Sequence, residues 1–181
     1  MSSRWLMFSL LLLLGRSLWA VVRAEDPATG LEHWKKTVRT RFPEVRQLSV
    51  AELAAWLADT NRVPPQLLDV RTAPEFAVSH LPGARQVDPR SPAPDLLRSL
   101  DRTRPVVVYC SVGWRSSDLA TRLQQSGCTN VLNLEGSAFA WASEGRTLVS
   151  SNGATRRVHP YNETFGRLLR PENRAAVPPA P

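Results

Sequence analysis

Lysine is almost missing from this chain: of 23 basic residues, Lys35 and Lys36 are the only lysines, and the rest are arginines. Histidine is scarce at three residues and cysteine at two. No apolar stretch approaches the roughly 20 residues that a helix needs to cross a bilayer; the longest, Trp5 to Leu14, has ten. Each shortage excludes something. The basic residues are scattered, with Arg156-Arg157 the one pair after Lys35-Lys36, whereas nucleic-acid binding needs a dense basic stripe interleaved with aromatics. His33, His80 and His159 lie far apart in sequence, so no metal-ligand spacing and no cofactor is implied. Cys110 starts a loop and Cys128 lies past the following helix. Ten helical residues span roughly 15 Å, beyond a disulfide's reach, and Cys128 reads as a small residue near a turn.

What is present makes one domain. A chain of 181 residues with 43% hydrophobic content can bury one ordinary core. Residues 1–24 read as a signal peptide: Arg4 precedes an apolar core, and cleavage sites follow Ala20 or Ala24. An uncleaved membrane anchor, with Arg16 snorkelling, is the alternative. Export, to a bacterial periplasm, is the expectation, with anchoring at the membrane its alternative. Removing the segment takes away three arginines and no acid, so the net charge falls from +7 to +4. Residues 25–44 form a polar lead-in with a short helix at Leu31–Val38, residues 45–150 the domain, and residues 151–181 a partly disordered extension. In that extension Ser150–Arg157 reads as loop and Phe165–Leu169 as a short docking helix.

Within 45–150, Ser49 and Glu52 form a capping box ahead of Leu53, Trp56 and Leu57 at helical spacing. Apolar runs at Gln66–Val70, Val106–Tyr109 and Asn130–Leu134 read as strands, with a shorter one near Arg85–Val87. Helices are predicted at Pro74–Ala77, Asp95–Leu100, Ser116–Gln125 and Ala138–Ser143. Strands alternating with helices imply an α/β fold, an open, mostly parallel sheet covered on both faces.

Cys110 stands where the strand Val106–Tyr109 meets a glycine-containing loop and the start of a helix. In open α/β sheets that edge binds ligands, and helix-terminal N–H groups there favour a thiolate. The six-residue turn from Cys110 to Arg115 can aim backbone N–H groups inward as an anion-holding nest, with Gly113 supplying a positive φ. Arg115 is unfavourable at a helix amino terminus by dipole logic. It asks for an anionic substrate or a carboxylate partner, unless it simply extends into solvent. Ser116 reads as the helix cap and Asp118 as a first-turn acid. Asp69 and Arg71 fall on the same sheet edge as Cys110: either Asp69 orients Arg115 or the loop amides, or both residues fix the neighbouring turn.

The ordered set Leu68-Asp69-Val70-Arg71, Glu75-Phe76, His80-Leu81-Pro82-Gly83-Ala84, Val107 to Ser116 and Asn130 to Gly136 resembles the single-domain rhodanese family of thiosulfate sulfurtransferases. The resemblance implies the rhodanese fold, with Cys110 as the catalytic residue cycling through a persulfide and Ser111, Val112, Gly113, Trp114, Arg115 and Ser116 as its substrate loop. It implies a sulfane-sulfur donor such as thiosulfate or a persulfide. The acceptor would be a thiol, cyanide or a protein. The variable loop residues Ser111, Val112 and Trp114 are uncharged, which disfavours a dianionic donor, and Trp114 reads as a lid or a docking contact. Phosphatases and arsenate reductases on the same fold carry a histidine before the cysteine and one more loop residue. Here Tyr109 precedes Cys110, and four residues separate it from Arg115. A catalytically silent rhodanese-like binding module is the rival from another class.

Overall fold

The computed structural model describes residues 26–177; residues 1–25, with the segment 1–24 expected as a signal peptide or anchor, and residues 178–181 of the tail lie outside that range. Helix α1 (Pro27–Arg41) leads into β1 (Gln47–Leu48), α2 (Val50–Ala58), β2 (Gln66–Asp69), α3 (Ala73–Val78) and β3 (Arg85–Gln86). There follow α4 (Ala93–Arg98), β4 (Val106–Tyr109), α5 (Trp114–Gln125), β5 (Val131–Leu134) and α6 (Ser137–Ser143). A hairpin of β6 (Leu148–Ser150) and β7 (Gly153–Thr155), then α7 (Glu163–Gly166) and a 3-10 turn at Pro171–Asn173, complete the described residues.

Strands β1 to β5 form one parallel sheet in the order β1-β5-β4-β2-β3. The most apolar strand, β4, is central because it needs cover on both faces. Leu67, Val107, Tyr109 and Leu132 point toward Leu53, Trp56, Phe139 and Trp141 of α2 and α6. Leu68, Val106, Val108 and Val131 point the other way, onto Leu96, Leu97, Leu119 and Leu123 of α4 and α5. This two-sided α/β sheet is the expected architecture. The Ser49–Glu52 capping box forms, with Leu53 and Trp56 turned inward and Leu57 outward. Helix α5 ends where Gly127 takes φ 93°, and the Cys128 N–H reaches back to the Leu123 carbonyl.

The two ends depart from the sequence reading. The lead-in is a fifteen-residue helix rather than a short one, since Asp26 caps it and Pro27 opens it. Its Leu31 and Val38 are core residues. The β6–β7 hairpin, starting at Leu148, runs through Ser150–Thr155 of the stretch expected as loop, and the short helix is Glu163–Gly166 instead of Phe165–Leu169. The extension is held down by the buried Val158 and Leu169. Leu168 packs so closely on α1 that a Cβ at Gly30 would stand 2.7 Å from it.

Candidate active site

Cys110 follows the last residue of β4 and is 1% exposed. The start of α6 fixes the loop from one side: Ala138 donates to the Cys110 carbonyl at 3.1 Å and Phe139 to that of Ser111 at 3.0 Å. The Ser137 hydroxyl accepts from the Cys110 N–H at 3.1 Å, and Ser137 holds a left-handed backbone, φ 55°. Strain of this kind persists where the surroundings over-determine it. Gly113 takes φ 106° and directs its N–H at the Cys110 sulfur, 3.2 Å away. Gly113, not Ser116, is the helix cap. The Ser116 hydroxyl, one turn in and buried, donates to Asn133 Oδ1 at 2.6 Å, and Asn133 donates to Gln47 at 2.7 Å. Burial pushes the Cys110 thiol up, but the Arg115 charge and the N–H and hydroxyl groups of Ser116 and Gly113 outweigh it and lower the thiol below its usual range. Because the single Ser116 hydroxyl proton is engaged by Asn133, the backbone N–H groups and Arg115 carry most of that effect.

The partner of Arg115 is Glu75. Its guanidinium makes a two-pronged pair with that carboxylate at 2.9 and 2.7 Å, and one nitrogen also donates to Ser111 Oγ at 3.1 Å. Glu75 reaches this position through a second capping box. Thr72 donates its N–H and hydroxyl to Glu75 Oε2 at 3.0 and 2.8 Å at the start of α3. Burial would raise this carboxyl, but the Arg115 and Thr72 contacts hold it at about 2. The carboxylate that Arg115 asked for was thus among the residues of the sequence resemblance, and the Thr72-x-x-Glu75 spacing was its signal.

Asp69 does not orient Arg115 or the loop. It is paired with Arg71, Nε to Oδ1 at 2.9 Å and NH2 to Oδ2 at 2.6 Å, both side chains fully buried. Arg71 then donates to the Ser79 carbonyl at 2.6 Å, so the pair fixes the turn beside the site, and the turn in turn binds the Arg157 carbonyl through Ser79 Oγ. His159, read as lying outside the core, sits in that same segment; burial lowers it, with Glu75, Arg71 and Arg115 as its charged neighbours.

Above the sulfur is a cavity of about 240 Å3. Cys110, Ser111, Val112, Trp114 and Arg115 of the loop line it together with three residues not anticipated from the sequence: Trp34 of α1, and Tyr161 and Phe165 of the extension. The rings touch in series. Trp114 meets Trp34 edge-on at 6.3 Å, Trp34 lies 5.0 Å from Phe165, and Phe165 meets Tyr161 edge-on at 5.4 Å. Tyr161 has φ 67°, and its ring stands 5.0 Å from the Arg115 guanidinium carbon.

Residues 49–144 match the family described as the rhodanese-like domain. A sulfurtransferase of Allochromatium vinosum is 37% identical over 109 residues, 60% of this chain and 99% of that protein. The thiosulfate sulfurtransferase GlpE of Pseudomonas aeruginosa is 36% identical over 78 residues, 43% of this chain and 70% of that protein. A crystal structure of a rhodanese-like domain protein from Staphylococcus aureus superposes with a TM-score of 0.51 at 28% identity, covering 59% of this chain and 99% of the other. Trp34, Tyr161 and Phe165 lie outside the matched family segment.

Proposed function

Because this chain belongs to the rhodanese-like family, we propose that it is a sulfurtransferase that carries sulfane sulfur on Cys110. The observation that supports this most directly is the buried sulfur facing the Gly113 N–H, with Arg115 beside it, at the amino end of α5. The Cys110 thiolate attacks the outer sulfur of the donor. The sulfur–sulfur bond of the donor breaks, and its electron pair leaves on sulfite when the donor is thiosulfate, or on a thiolate when it is a persulfide. The Cys110 persulfide that results is an anion, which loop N–H groups and Arg115 stabilise as they do the thiolate. An acceptor thiolate, or cyanide, then attacks the terminal sulfur and regenerates Cys110. No electron leaves the pair of reactants, so no external oxidant is needed. Four residues between Cys110 and Arg115 make a cradle sized for sulfur rather than for a phosphate ester.

If residues 1–24 direct export, this transfer takes place outside the cytoplasm. The test is mass spectrometry after incubation with thiosulfate or polysulfide. The expected result is one added sulfur on the wild type and none on Cys110→Ser. No gain with any donor would instead identify a rhodanese-like binding module, and rapid phosphate-ester hydrolysis would identify a phosphatase.

A further inference from the structure

The cavity over Cys110 is walled largely by rings that the family segment does not supply, and its one cation already has a carboxylate partner. Arg115 is the one charged residue lining it among the described residues, and both terminal nitrogens of that guanidinium are committed to Glu75. An incoming dianion would meet the thiolate and the Glu75 carboxylate against one cation. By contrast, Trp34, Trp114, Tyr161 and Phe165 offer ring faces and edges to an apolar group, and aromatic side chains bind such groups through area and through edge-to-face contacts. A space of about 240 Å3 is smaller than the roughly 300–1,000 Å3 of sites for drug-sized ligands. It suits one ring or a short alkyl chain.

We propose that the sulfur carrier this site selects is a small organic hydropersulfide or thiol with an apolar, preferably aromatic, tail, and that α1 and the C-terminal extension confer this selectivity. This deepens the sulfurtransferase reading and rests on it. The Cys110 thiolate attacks the terminal sulfur of the hydropersulfide, the donor's sulfur–sulfur bond breaks, and the tail leaves as a thiolate that takes up the proton from the transferred sulfur. The products are a Cys110 persulfide anion and a neutral organic thiol. The tail stays against the rings while its sulfur lies over Cys110.

The experiment follows Cys110 persulfidation of the full chain by time-resolved mass spectrometry with benzyl hydropersulfide, glutathione hydropersulfide and thiosulfate. Benzyl hydropersulfide should load the wild type roughly tenfold or more faster than glutathione hydropersulfide, the scale at which apolar pockets discriminate. Tyr161→Asn and Phe165→Leu should each bring that ratio toward one. Asn tolerates the left-handed backbone at 161, and Leu keeps an apolar side chain at 165, so the ratio can be read on folded protein. A wild type without preference, or a ratio unchanged in both variants, overturns the selectivity. Absence of loading from all three donors overturns the sulfurtransferase reading itself.

Discussion

Taking a thiol out of water favours its neutral form, so a cysteine buried as deeply as Cys110 would resist ionisation unless neighbours opposed burial. Arg115 and the N–H groups of Gly113 and Ser116 do so, and the net shift of the thiol is downward. The rate of alkylation by iodoacetamide should therefore have a lower pH midpoint than that of a free cysteine thiol. Arg115→Gln should move the midpoint up for two reasons of the same sign: the cation is lost, and the Glu75 carboxylate is left without its partner near the sulfur. A midpoint that does not move would show that the backbone groups suffice. Glu75 has its own pH signature. Its carboxyl is lowered to about 2 in the folded chain, against about 4.3 when unfolded. A depressed folded value means that the carboxylate contributes stability above about pH 4, and that this is lost as pH falls toward 2. The contribution at neutral pH is on the order of 3 kcal/mol. Urea unfolding of wild type and Glu75→Gln should show the larger gap at pH 7 and a gap shrinking below pH 4; equal gaps at both would refute the pairing.

At the scale of elements, the site is a junction: β4 delivers Cys110, α5 begins above it, and α6 pins the loop from behind. Gly113 joins the first two, at a positive φ that a side chain strains and with Asn133 Nδ2 only 3.2 Å from where a Cβ would be. Gly113→Ala should cost about 1–3 kcal/mol in thermal or urea unfolding and, by turning its N–H away from the sulfur, raise the alkylation midpoint. A variant with wild-type stability and midpoint would mean that the loop does not depend on this turn. What the sequence reveals and conceals follows from the same logic. The β4 run, the helix of Leu119 and Leu123 and the glycine at 113 are local patterns with one physical solution each, and they locate the thiol. Asp69 and Glu75 are both acids near one sheet edge, and nothing local says which reaches Arg115. That depends on α3 swinging Glu75 across the loop while Arg71, two residues from Asp69, claims the nearer acid. Trp34, Tyr161 and Phe165 were beyond local reading altogether, since residues more than a hundred positions apart meet only through the fold.

For the whole molecule, the family core of residues 49–144 is bracketed by two appendages that meet each other over the site. Leu168 lies against Gly30, and Phe165 stacks near Trp34. The extension is also tied to the core: Ser79 donates to the Arg157 carbonyl at 2.6 Å, and β7 pairs with β6, whose Val149 exchanges N–H and carbonyl bonds with His80 at 2.9 Å. Its own fold is closed by Asn173, which donates to the Arg156 carbonyl at 3.0 Å. Such cross-bracing couples the appendages to the stability of the sheet. Leu169 is fully buried, so Leu169→Ala leaves a cavity and should lower stability by about 2–5 kcal/mol. If core and extension form one cooperative unit, the variant should melt in a single transition at reduced temperature, and proteolysis within residues 151–177 should rise together with cleavage of the core. If the extension is merely an ornament on an independent domain, the variant should shed it first: early cuts in 151–177, then a core melting at the wild-type temperature. The hydrogen bond from Ser79 argues for the first outcome, because unfolding the extension would strip it from a turn that the buried Asp69–Arg71 pair holds rigid.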